Sequence, residues 1–130
     1  EPSYLVYQTR APALGRGRLL VPLSNPQTAA ALLQMAAAIA RDLNYELECL
    51  SVVIVPRNRA PDEAVVRTTS SRRLLRQAES LGRQWKIPVH TQIRLAHDVA
   101  QAILETIKER HIDLTLMGWK GNTATPGRIF

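Results

Sequence analysis

Two hydrophobic periods alternate along this chain. "RLLVPL" (18–23) is a short apolar run of strand formers closed by proline and serine, and it predicts a strand. From 26 to 43, Ala29, Leu32, Leu33, Ala36, Ala37, Ala40 and Leu43 recur at helical spacing. Asn25 stands ready as N-cap and Pro26 as first helical residue. "ELECLSVVIVP" (46–56) is nearly unbroken in apolar residues from Cys49 onward, which predicts a strand buried on both faces. A polar loop follows over 57–64. A second helix is expected over about 64–84, with Leu74, Leu75, Ala78, Leu81 and Trp85 on one stripe. "IPVHTQIRL" (87–95) reads as a third strand. "DVAQAILETIKER" (98–110) reads as a third helix, with Asp98 at its N-cap and Val99, Ala102, Ile103 and Ile107 on one face. "IDLTLMG" (112–118) is a fourth strand that stops at a glycine.

Strands alternating with helices predict an α/β fold, a parallel doubly wound sheet with helices on both faces and right-handed crossovers. In such folds ligands bind outside the carboxyl ends of the strands, where the strand order switches. The loops at those ends are 22–26, 53–59, 95–98 and 118–130. Residues 1–17 stand apart. "SYLVYQT" reads as a strand of its own, and a Pro/Gly/Arg linker joins it to the domain proper at 18–130. Gly15-Arg16-Gly17 precedes a strand rather than joining a strand to a helix, so it reads as linker and not as a phosphate motif.

Composition narrows the functional classes. The 130 residues are 45% hydrophobic, 22% charged and only 5% aromatic, so the core rests on Leu, Ile, Val and Ala. The lone cysteine, Cys49, reads as a small buried hydrophobe and excludes a disulfide within the chain. No run reaches the ~18–20 apolar residues that cross a bilayer, and no secretory leader is visible. The first residue is not Met and the last stretch is a glycine-rich loop, so the chain reads as a piece of something longer. The net charge of +6 comes largely from Arg67, Arg72, Arg73, Arg76, Arg83 and Lys86 on the second helix. These residues read as a solvated face or as a surface for anionic membrane. Aromatic residues do not interleave with them, which argues against a nucleic-acid stacking platform.

The fourth strand opens into Gly118-Trp119-Lys120-Gly121. Nine residues, Asn122 to Phe130, follow Gly121, so a glycine just past Phe130 would complete G-x-x-G-(nine)-G. Glycines so placed let backbone N–H groups approach an anion. With "LLVPLSNPQTAAALL", "ECLSVV", "AILETIKERHIDLTLMG" and "MGWKG", the chain resembles a universal stress protein domain over about 18–130. The resemblance implies a flavodoxin-like sheet of order 3-2-1-4-5, whose last helix and fifth strand would follow residue 130. Many members bind ATP or AMP and others do not. It maps a binding crevice onto Pro22, Leu23, Ser24, Val52, His97, Met117, Gly118, Lys120 and Gly121. Val52 matches the backbone contact to adenine. Ser24 stands where binders carry an aspartate, and His97 where they carry a glycine beside the ribose. The crevice is therefore expected to be degenerate.

The lead-in strand resembles the closing strand of a preceding stress-protein unit or the link between two units. Such units are similar to the cytosolic tails of bacterial cation/proton antiporters and amino-acid permeases. A local alternative is that the lead-in strand fills the empty fifth-strand slot beside the fourth strand, in its own chain or a neighbour's. His90, His97 and His111 are scattered, Ser24 has no identifiable base, and no catalytic motif is present, so no enzyme is expected. Two functional readings follow. One is a non-catalytic regulatory domain at the cytosolic face of a membrane transporter, pairing with the transporter's membrane-embedded part. The other is a free-standing cytoplasmic ATP/AMP-binding protein acting as a homodimer or paired with a second such unit. No metal is expected in either.

Overall fold

The computed structural model describes residues 2–12, 15–60 and 68–118. Its elements are β1 (Tyr4–Thr9), β2 (Gly17–Pro22), α1 (Pro26–Leu43), β3 (Tyr45–Ile54), α2 (Thr69–Trp85), β4 (Val89–Ala96), α3 (Val99–Arg110) and β5 (Leu114–Thr115). They form one five-stranded sheet of order β1-β4-β3-β2-β5. Strands β4, β3, β2 and β5 are parallel, in the order expected for the third, second, first and fourth strands of the domain.

Local signals set the helix ends. Asn25 accepts from the Gln27 N–H and Pro26 follows it, so α1 starts where the sequence predicts. Asp98 does the same for α3 by accepting from the Gln101 N–H at 2.7 Å. Asn44, Lys86 and His111 close the three helices with positive φ, each sending its backbone N–H back to a carbonyl of the last turn.

The main core lies between the sheet and helices α1 and α2. Leu19, Val21, Leu47, Cys49 and Ile93 from the strands meet Leu33, Ala36, Ala37, Leu74, Leu75 and Ala78 from the helices. Runs of alanine in α1 let the helix lie close to the strands. On the opposite face, α3 covers a much smaller apolar group, Leu20, Leu50 and Ile103. Half-buried Val52, Ile107 and Ile112 pack around it, and buried polar side chains of β3 and β4 occupy much of the remaining face.

Several expectations are corrected. The lead-in strand β1 does not lie beside the fourth strand. It runs antiparallel along β4, at the far edge of the sheet, from Tyr4↔Leu95 to Thr9↔Thr91. Tyr7 packs on the main core there, with Arg72 over its ring. The fourth strand is shorter than 112–118, although hydrogen bonds from Asp113 N–H to Arg18 and from Leu116 N–H to Leu20 extend its pairing with β2. Helix α2 begins at Thr69; residues 61–67, including Arg67, lie outside the described residues. Strand β4 begins at Val89, after Ile87-Pro88. Leu43 and Val99 are exposed, because each sits at a helix end where the stripe turns away from the sheet. Burial on both faces of β3 holds from Glu46 to Ser51, and Ile54 emerges to 52% exposure beyond the helices.

Candidate functional site

Carboxyl ends of β2, β3 and β4, with the segment after β5, meet at one end of the sheet, as parallel strands require. Pro22 is half-buried and Leu23 buried, its N–H donating to the Leu50 carbonyl at 2.8 Å. Leu50 therefore turns its peptide groups towards β2. Val52, two residues on, turns its own to the same side, past the last paired residue of β2. This puts Val52 backbone groups at the crevice floor. Ser24 is exposed at the rim, just ahead of the α1 N-cap. Met117 and Gly118 are exposed at the opposite rim. A Cβ on Gly118 would stand 3.3 Å from Leu32 Cδ2, so the chain leaves β5 close against α1. Lys120 and Gly121 lie outside the described residues.

His97 is half-buried at the end of β4, and its Nδ1 lies 3.3 Å from the Val55 carbonyl. The carbonyl can only accept, so Nδ1 carries the proton in that contact. The imidazole thus occupies the mouth between β3 and β4. Beside it, the Asp98 carboxylate both caps α3 and stands 3.8 Å from Arg57. The N-terminus of α3 is therefore already engaged by an acidic cap. Among the described residues, no group of three or more His, Cys, Asp or Glu stands where it could hold a metal. Burial, with Glu48 and Glu79 nearby, pushes the Cys49 thiol far above its ordinary range, so it stays protonated and inert.

On the α3 face the structure assembles polar groups that the sequence reading left scattered. Glu46 and Glu48 on β3 point to the same side as His90, Gln92 and Arg94 on β4, and all five are buried. Glu48, 0% exposed, accepts from Arg10 (2.9 Å), Gln92 (2.7 Å) and Arg110 (2.9 Å). Glu46 accepts from Gly15 N–H (3.1 Å) and Arg18 (3.2 Å) and lies 2.7 Å from His90 Nε2. Arg94 binds Gln92, Ser3, Glu105 and Glu109. The signal was present as alternation: Glu-x-Glu on one strand opposite His-x-Gln-x-Arg on the next, both at period two. On the outer surface of α2, Arg72, Arg73, Arg76 and Arg83 are exposed, as is Lys86 at its end.

This frame, with a crevice at the switch between β2 and β5, defines an open doubly wound α/β domain. The chain belongs to the universal stress protein family, which it matches over residues 15–130. It is 36% identical over 105 residues to the Na(+)/H(+) antiporter NhaS5 of Synechocystis sp.. Those residues are 81% of this chain but 15% of the antiporter, so the chain spans a small fraction of that relative. Among solved structures it is similar to a universal stress protein family member from Burkholderia pseudomallei. That likeness has a TM-score of 0.60 and 22% identity, and covers 78% of this chain and 80% of the other. It is also similar to the universal stress protein UspA from Lactobacillus plantarum, with TM-score 0.53 and 22% identity over 89% and 85% of the two chains. At that identity the two structures speak to the fold alone.

Proposed function

We propose that this chain is a non-catalytic regulatory domain attached to a membrane transporter of the cation/proton antiporter class, standing on its cytosolic side. Residues 1–17 are its lead-in and 18–130 the domain proper. The observation that carries this reading is the 36% identity to a segment of a Na(+)/H(+) antiporter, in which this domain is a minor part of a much longer chain. Among the described residues no helix is long and apolar enough to cross a membrane, so the membrane-embedded part would lie elsewhere in the parent chain. The parent reading frame provides the direct test. Membrane spans encoded in frame with residues 1–130 are expected, and a frame holding only this domain would sink the proposal.

The crevice is the domain's sensing element in degenerate form. Its rim carries the Ser24 hydroxyl in place of a carboxylate that could help hold Mg²⁺. The family resemblance puts His97 where a ribose would need the backbone to come close, and its ring lies against the Val55 carbonyl. The described residues therefore do not fit a magnesium–nucleotide. Titrating ATP and AMP into the protein, with and without Mg²⁺, is expected to give no heat and no rise in melting temperature at millimolar nucleotide. Saturable micromolar binding would overturn the degenerate reading and favour the free-standing nucleotide-binding alternative.

A further inference from the structure

The polar face under α3 ties down the N-terminal arm as well as filling space. Between β1 and β2, Arg10, Ala11 and Gly15 are each held by a different polar group of the sheet. Arg10 reaches Glu48, the Ala11 N–H donates to His90 Nδ1 at 3.1 Å, and the Gly15 N–H donates to Glu46. His90 brings an imidazole into this series, the side-chain type that can take up a second proton without strong acid. Its hydrogen bonds fix its state. A backbone N–H can only donate, so Nδ1 must be bare; Nε2 then carries the proton and donates to Glu46 Oε1 at 2.7 Å.

The geometry points to a proton-sensitive latch, in which a second proton on His90 releases the Ala11 end of the arm from the sheet. With Nδ1 protonated, two N–H groups would face each other at the separation of a hydrogen bond. The ring cannot turn to relieve this, because its other nitrogen is held more strongly once Glu46 and the imidazolium form an ion pair. The part that must give is the arm. The charged groups on this face are Glu46 and Glu48 on β3, Arg18 on β2, Arg10 on the arm, Arg94 on β4, and Glu105, Glu109 and Arg110 on α3. Glu46 is the one bonded to the ring. Docking requires the neutral ring, so attachment is complete while Nδ1 is bare and is lost as acid puts a second proton on it. This inference is independent of whether the crevice binds nucleotide.

Hydrogen exchange of the intact protein at pH 7.5 and 5.5, corrected for intrinsic rates, tests the latch. Protection of the Tyr7–Ala11 amides is expected to fall by about tenfold at the lower pH. Protection of Leu47–Leu50 in the central strand is expected to hold. Equal change in both segments, or none in the arm, would overturn the proposal. Glu46→Gln is expected to move the midpoint of the arm's transition to lower pH, because the imidazolium loses its counter-charge. An unmoved midpoint would assign the transition to other groups and reject the role of His90. His90→Gln, which cannot titrate, is expected to leave the arm's exchange flat across this range. If that variant does not fold, the Glu46→Gln midpoint and the wild-type comparison still decide the question.

Discussion

Glu48→Gln is expected to lower stability by about 3 kcal/mol, the low end of the cost of breaking a buried charge cluster from one side. The substitution keeps the volume and removes the charge, so cavity effects do not enter. The carboxylate is enclosed and takes hydrogen bonds from Gln92, Arg110 and Arg10. A glutamine there offers one carbonyl to three donors and turns its own NH₂ towards another donor. Arg10 and Arg110 keep 32% and 20% of their side chains exposed, so both can turn part-way to water, which holds the cost down. Gln92 cannot. Urea denaturation at pH 7 measures the loss, and a change below ~1 kcal/mol would show that the cluster is not what holds this face together.

The same variant alters the acid limb of the stability curve. Burial pushes the Glu48 carboxyl up, but its three hydrogen bonds outweigh that and hold it below the ordinary 4.5. Burial likewise acts against Glu46 and Glu105, and bonds from His90, Gly15 and Arg18, or from Ser3, Gln101 and Arg94, prevail. Folded values below the unfolded one mean that these groups contribute fully above about pH 4.5. That contribution is lost as pH falls through the folded values. Removing Glu48 takes away one of the three, so the variant is expected to lose less stability below pH 4.5 than the wild type.

Leu75→Ala is expected to cost about 3 kcal/mol and about 10 °C in melting temperature. Leu75 is wholly buried on α2, within the main cluster formed with Leu74, Ala78 and the strands. The buried α1 residues of that cluster are mostly alanines, which have no spare length to fill the space left behind. The cavity therefore stays open, and the cost falls within the range of a full cavity rather than a collapsed one. Thermal melts monitored by circular dichroism check this. A drop of less than ~3 °C would mean that α2 can settle into the gap.

Much of the frame was legible because burial and period agree in it. Helix α1 is readable from Asn25-Pro26 to Leu43 because cap, proline and alanine stripe all give the same limits. Alternation and handedness give a parallel doubly wound sheet, and the order of its four parallel strands is the one the family resemblance implies. The polar face is legible only as alternation, Glu-x-Glu on one strand and His-x-Gln-x-Arg on the next, and alternation alone does not say which residues pair. Glu46, Glu48 and Gln92 carry opposite meaning once two strands are in register, and register is a long-range property. The place of β1 was missed for a similar reason. "SYLVYQT" says strand, but which edge accepts it depends on Tyr7 meeting the core and on Ser3 meeting Arg94. At the crevice, Ser24, Val52, His97, Met117 and Gly118 gather at one end of the sheet, with the Asp98 cap the sequence predicts, while the nearness of Arg57 to that cap is a tertiary contact the sequence does not announce.

Because β1 runs against β4, Tyr4 sits opposite Leu95 and Thr9 opposite Thr91. The arm therefore starts at the crevice end of the sheet and is carried to the far end before β2 begins. A body joined ahead of Pro2 would hang beside the mouth that His97 occupies, and the arm would be its tether. Loss of the Ala11–His90 bond leaves that body's point of entry in place, because β1 stays paired to β4 between the two.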